Sequence, residues 1–289
     1  MVISVLSGGL GNQLFQYAFG LRLATQLQTE LRLERHLLES KAIARLRQYT
    51  PRTYELDTFM VQAPATSLTD TISCLSRVVL SGKTSLLLRE STLTPNAIDK
   101  LDSRVQDVIC FGYWQSADYF RPATEQIRKQ LVFRKNPARS RSIAATILSY
   151  RNAAFVHIRR GDYVTNSHAN QHHGLCDVSY YRRSCAYVKE RIPDVQFFVF
   201  SDDPDWAKRE LGNYLQPVLF IDHNRGADSW QDMYLMSLCR HAIVANSSFS
   251  WWGAWLNPVV DRLVVAPCQW FVNQPILSRQ IIPQHWSCL

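Results

Sequence analysis

A chain of 289 residues that is 46% hydrophobic and 19% charged has apolar mass enough for two cored domains and too much for a disordered polypeptide. Its formal net charge of +8 is carried by scattered lysines and arginines, without long runs or interleaved aromatics. This argues against a nucleic-acid partner and favours phosphorylated substrates or peripheral contact with an anionic membrane surface.

Val2–Leu6 predicts a short apolar strand with no basic leader before it, and no apolar run reaches membrane-spanning length, so neither signal peptide nor anchor is expected. The 7 cysteines, an odd number without Cys-x-x-Cys pairs, read as thiols of a reducing cytoplasm. Ser7–Gln13 is a glycine-rich turn that opens a helix to about Gln28. It is not a dinucleotide fingerprint, because Leu14 stands where the third glycine belongs, and no Lys-Ser/Thr pair follows for a P-loop. Asn12 and Gln13 are amides at that helix start, suited to hold hydroxyls.

Residues 36 to 105 lack periodicity and are punctuated by Pro51, Pro64 and Pro95; they read as a variable acceptor-side region. Val108–Tyr113 predicts another strand, and Trp114–Phe120 opens a helix that fades near Arg134. The polar, basic, proline-containing stretch 134–140 reads as a linker between domains 1–135 and 140–289.

Beyond it, strands 153–158, 196–200, 217–221, 242–245 and 262–266 alternate with helices 179–191, 204–211, 229–240 and 249–256. That rhythm predicts a parallel βαβ sheet, and the fold class is α/β with two facing Rossmann-like domains and a cleft between them. Three strands end in polar groups: Arg159 to Asp162, Ser201 to Asp203, and Asn246 to Ser250. In a parallel sheet these converge on one edge, where ligands of open α/β sheets bind. Arginine forks match phosphate oxygens, Gly161 admits close backbone approach, and Asp162 either orients an arginine or takes a proton. The serines precede an apolar helix, so they either help bind an anion or, as Ser248 or Ser250, cap it. Asp203 and Asp205 have the spacing of a metal pair but fit a helix start better, and His168, His172, His173 and Cys176 match no tetrahedral zinc framework. Asn246-Ser247-Ser248 fits a glycosylation sequon only formally, at an inferred buried strand end.

Gly8–Ala18, Phe111–Ser116, His157–Asp162, Phe200–Asp203 and Asn246–Asn257 together resemble the bacterial α-1,2-fucosyltransferases of glycosyltransferase family 11 and, more distantly, the protein O-fucosyltransferases. The resemblance implies a GT-B fold, a GDP-β-L-fucose donor, and inverting transfer to the 2-hydroxyl of a terminal galactose on an oligosaccharide acceptor, with no metal or other cofactor. It places Arg159 on the donor diphosphate, His157 and Asp232 on guanine, Ser247, Ser248 and Phe249 on the donor, and Asn12 near the fucose. Arg160, Asp202 and Asn246, on the same strand ends, join that donor set; Asn12, Gln13, Trp114 and Gln115 form the acceptor set. Arg159 and Asn12 are then the catalytic candidates, with either Asp162 or a group within 36 to 105 as base. Other classes remain open: another GDP-sugar enzyme, disfavoured by the incomplete glycine fingerprint, or a binding module without turnover.

Overall fold

The apolar runs Val2–Val5 and Ala153–Ile158 are buried along their whole length, as strands covered on both faces must be. Each belongs to its own α/β unit, Met1–Lys135 or Asn136–Leu289. The computed structural model describes residues 1–40, 52–81, 85–102, 104–105, 107–134, 137–161, 174–272 and 274–289.

In the first unit the described elements include β1 (Val2–Val5), α1 (Leu10–Gln26), β2 (Leu31–Glu34), α2 (His36–Glu39), α3 (Leu68–Ser81), β3 (Ser85–Arg89), α4 (Pro95–Asp99), β4 (Asp107–Phe111) and α5 (Thr124–Gln130). The strands pair in the order β2-β1-β4-β3, all parallel. Leu14, Phe15, Ala18 and Phe19 on α1 are fully buried and help form the core beside the sheet. The unread stretch therefore holds real secondary structure. Its strand β3 lies at the sheet edge with two of five side chains buried, and its apolar run, Leu86–Leu88, is only three residues between Ser85 and Arg89, too short to mark a strand. The helix expected from Trp114 starts later, because Pro122 and the Ser116 hydroxyl, which accepts the Asp118 N–H at 3.3 Å, make two 3-10 turns first.

The second unit runs α6 (Arg141–Ser149), β5 (Ala153–Ile158), α7 (Val178–Arg191), β6 (Gln196–Ser201), α8 (Pro204–Leu211), β7 (Val218–Ile221), α9 (Trp230–Leu238), β8 (His241–Ile243), α10 (Ser248–Leu256), β9 (Val264–Ala266), α11 (Pro275–Ile281) and β10 (Ser287–Cys288). Its sheet is parallel in the order β10-β9-β8-β5-β6-β7. Read from β7, that is the doubly wound order 3-2-1-4-5-6, whose switch point lies between β5 and β8.

Two expectations are corrected here. Ser140 is not linker: it is fully buried in a polar cluster of the second unit, directly before α6. The cysteines are not all thiols either, since Cys268 and Cys288 are disulfide-bonded where β10 pairs with β9, while Cys74, Cys110, Cys176, Cys185 and Cys239 are free and buried. Among the described residues no helix is long and apolar enough to cross a membrane.

Candidate functional site

The carboxyl ends of β5, β6 and β8 lie side by side, so the three polar strand ends do share one edge. Arg159 leaves β5 with its Nη1 3.1 Å from Asp202 Oδ2, and the other oxygen of Asp202 accepts the Arg160 backbone N–H at 2.8 Å. A Cβ on Gly161 would stand 2.9 Å from Asp202 Oδ2, so glycine is what lets this carboxylate close against the turn. Asp202 thus orients Arg159, the role the sequence offered to Asp162, which lies outside the described residues together with His168, His172 and His173. Arg160 is turned to a different task. Its Nε is 3.3 Å from Asp203 Oδ2 and its guanidinium packs 4.1 Å over the Trp206 ring, fastening β5 to α8. Asp203 also accepts the Trp206 N–H at 3.2 Å as N-cap of α8, so its carboxylate is spent on the fold.

Across the switch point, α10 starts at Ser248, and its N-cap residue Ser247 makes no side-chain capping bond. The capping expectation fails because the Ser250 hydroxyl is fully buried and donates back to the Ser247 carbonyl at 3.3 Å. Backbone N–H groups at the positive end of α10 therefore stand beside the Ser247 and Ser248 hydroxyls, an anion-binding arrangement next to Arg159 at the same switch point. Asn246 is 2% exposed and serves the fold: its amide donates to the carbonyls of Gly174 and Trp270 and accepts from Cys176 Sγ. That burial removes it from the donor contacts expected of it.

His157, on β5, is buried with Nδ1 unpartnered and its ring 5.9 Å from that of Phe249. Burial, and then the Arg159 charge, lower its pKa to about 3, so the imidazole is neutral and suits a base edge rather than a phosphate. Asp232 lies in the first turn of α9, a helix packed on α10. Its Oδ1 accepts from Asn224 Nδ2 at 2.7 Å, and Asn224 reaches Ser140, whose hydroxyl donates to Gln231 Oε1 at 3.0 Å. Burial raises the Asp232 pKa to about 7 against the opposing Asn224 bond. Sequence reasoning missed Ser140, His223 and Asn224, although Asp222-His223-Asn224 is a polar strand end like the other three.

In the first unit the loops after β1 and β4 meet at that sheet's own crevice. Asn12 Oδ1 accepts from Gln115 Nε2 at 2.8 Å, and Gly8, at φ +77°, would put a Cβ 2.4 Å from Asn12 Nδ2. Gln16 bonds Ser7 and the Gly112 carbonyl, tying the two loops together. Two acceptor candidates are corrected by burial. Trp114 is 0% exposed and stacks on Phe19 at 3.9 Å, and Gln13 is 0% exposed with its amide bonded to Gly8, Thr53 and Glu55. Asn12 and Gln115 remain accessible to a hydroxyl-bearing ligand.

Glu90, unnoticed in the sequence, accepts the Tyr113 N–H at 2.7 Å and the Gln115 N–H at 3.1 Å, and so holds Trp114 at φ 57°. Glu90→Gln keeps one acceptor oxygen and loses the charge. It is expected to cost about 1.5–3 kcal/mol of stability, the scale of a hydrogen bond to a charged group. Thermal melts check this; an unchanged melting temperature would mean that the Glu90 charge does not hold the Tyr113–Gln115 loop.

Residues 104–288 match glycosyl transferase family 11. The chain is 32% identical over 300 residues to the alpha-1,2-colitosyltransferase of Escherichia coli, covering 99% of this chain and 98% of that protein. It is 34% identical over 296 residues to the O-antigen biosynthesis glycosyltransferase WbnK of Escherichia coli, with 93% and 95% covered. Among solved structures, NodZ alpha-1,6-fucosyltransferase co-crystallized with GDP superposes with a TM-score of 0.53 at 17% identity, covering 89% of this chain and 92% of that one. The last likeness speaks to fold, an α/β fold of the GT-B type. With the matched domain spanning both sides of the Arg159 switch point and near full-length relatives above 30% identity, this chain belongs to glycosyltransferase family 11.

Proposed function

We propose that this glycosyltransferase moves L-fucose from GDP-β-L-fucose to the 2-hydroxyl of a terminal galactose, with inversion and without a metal. The observation that carries the reading is Arg159, set by Asp202 at the switch point opposite the uncapped start of α10. As the bond from fucose C1 to phosphate breaks, its electron pair goes to the departing GDP. A guanidinium and helix-start N–H groups already in place meet that charge without reorganising. Asp232 and neutral His157 suit the guanine edge, while Asn12 and Gln115 suit sugar hydroxyls.

A second reading differs only in the sugar and is favoured by the colitosyltransferase relative. Colitose is the 3-deoxy counterpart of L-fucose, so a site for it omits contacts to one hydroxyl. Incubation with each GDP-sugar and a panel of β-galactosides, with linkage analysis of the product, decides between them. GDP release with a new α-1,2-linked product supports a transferase reading; binding without turnover would sink both. A lipid-linked O-antigen acceptor, suggested by WbnK, would be met by peripheral contact at the membrane surface, where a net charge of +8 favours anionic lipid.

Metal independence follows from the same reading. Asp203, one of the two carboxylates with metal-like spacing, is held by Arg160 and the α8 start. Turnover is expected to survive excess EDTA within twofold. Loss of activity on chelation, restored by Mg²⁺ or Mn²⁺, would instead make Asp203 and Asp205 ligands.

A further inference from the structure

The transfer also needs somewhere to put the acceptor's proton, and several carboxylates among the described residues of the first unit are candidates. Ligands of open parallel sheets sit beyond the carboxyl ends of the strands. At that edge of β2-β1-β4-β3 stand Glu34, which ends β2, Glu90, which follows β3, and Glu55, on the segment strapped against the start of α1. Glu34 is 4% exposed and occupied by the His36 N–H and ring at 2.7 Å each and the Leu37 N–H at 3.5 Å. Glu90 has each oxygen on a backbone N–H of the Tyr113–Gln115 loop. Both are consumed by the fold.

Glu55 is fixed differently, through its backbone. The fully buried Gln13 amide accepts the Glu55 N–H at 3.0 Å and donates to the Thr53 carbonyl at 2.8 Å, so this short segment is held to the glycine turn at two points. The Glu55 side chain is half-buried on this segment, beside the start of α1, where Gly9 supplies no side-chain cap. This explains why Gln13, expected to hold substrate, is buried instead: it positions the segment that carries Glu55.

We infer that Glu55 is the general base that accepts the proton of the acceptor hydroxyl. As the acceptor oxygen bonds to C1 of the donor sugar, its proton passes to the Glu55 carboxylate, while the C1–O bond to phosphate breaks and its electrons leave with GDP. The charge balance around the carboxylate fits the task. Burial raises its proton affinity and Asp57 adds to this, while Arg52 and the Leu10 N–H oppose it and keep the anion available.

This inference rests on the transferase reading, and the test separates the two. Glu55→Gln is expected to lower kcat and kcat/KM equally, by about 10²-fold, the scale of a lost general base, with GDP affinity within twofold of wild type. The acid limb of the wild-type kcat profile, where the carboxylate protonates, should vanish in Glu55→Gln. Glu55→Asp, which withdraws the carboxylate by one methylene, should keep the limb at a reduced kcat. A residue that merely caps α1 would move the melting temperature and leave the limb in place. An active wild type with Glu55→Gln turning over within threefold of it overturns the assignment alone. A wild type that transfers neither sugar to any galactoside overturns the transferase reading and Glu55 with it.

Discussion

Arg159→Lys is expected to lower kcat/KM by about 10²–10³-fold, or roughly 2.7–4 kcal/mol of transition-state stabilisation, on the scale of one lost charge-stabilising donor. Lysine keeps the charge but replaces a rigid planar fork by a single flexible point. It cannot both hold Asp202, as Arg159 does at 3.1 Å, and meet two phosphate oxygens. The companion Asp202→Asn keeps shape and removes the charge that orients the guanidinium. Its loss should be smaller and should fall mainly on kcat, because the arginine still reaches the diphosphate from a wider range of positions. Arg160→Lys is the contrasting control, with an effect expected first on thermal stability, since Arg160 is engaged by Asp203 and Trp206. Steady-state kinetics with GDP calorimetry test the set. An Arg159→Lys enzyme within threefold of wild type would remove Arg159 from the diphosphate.

That the sequence offered both Arg159 and Arg160 to the donor, without telling their partners apart, lies in the geometry of a strand end. Adjacent residues leaving β5 point to opposite sides, so the sequence marks both as polar but cannot say which faces the crevice. What decides is Trp206, five residues beyond the end of β6, which captures Arg160. Strands β5 to β9 of the second unit were legible because a sheet covered on both faces needs apolar runs, as in Ala153–Ile158 and Gln196–Ser201, whereas the two-residue β10 was missed. Short runs and tertiary polar clusters carry less. β3 was lost because Leu86–Leu88 is a run of three that could equally belong to a helix, and the network joining Ser140 to Asn224 was lost because no local pattern spans a sequence separation of 84. Trp114 and Gln13 failed oppositely. Both sit in motifs that resemble the family's, yet the first is packing and the second is scaffolding, and only burial tells a motif residue that touches substrate from one that holds another in place.

Asp232→Asn is expected to weaken GDP binding by about 10–100-fold at pH 8, the scale of a charged hydrogen bond lost in a desolvated site, and to abolish its pH dependence. Guanine presents N1–H and its exocyclic amine side by side, and a carboxylate accepts both, whereas adenine has an acceptor at N1 and no amine beside it. In the free protein burial raises the Asp232 pKa from 3.8 to about 7, with the Asn224 amide at 2.7 Å as the opposing influence. His223 and Asp228 lie in the same cluster, bonded to Ser140 and Gln231 respectively, so neither neutralises the carboxylate by direct pairing. Below pH 7 the protonated acid offers a donor where guanine needs an acceptor. GDP affinity in the wild type should therefore fall as pH drops through about 7, with a proton released on binding. The sign for stability is the reverse. Between 3.8 and about 7 the folded state holds a proton that the unfolded state has lost, so rising pH destabilises the fold across that window. Asp232→Asn removes that cost, and the unliganded variant should melt higher than wild type at pH 8 by a few degrees while gaining nothing at pH 4. A helix-start acid acting only on the dipole would give the opposite, a variant that melts lower at pH 8 and binds GDP normally. Calorimetry with GDP and ADP at pH 6 and 8, alongside melts of both proteins, separates the two, and unchanged GDP affinity in Asp232→Asn would move guanine recognition to His157.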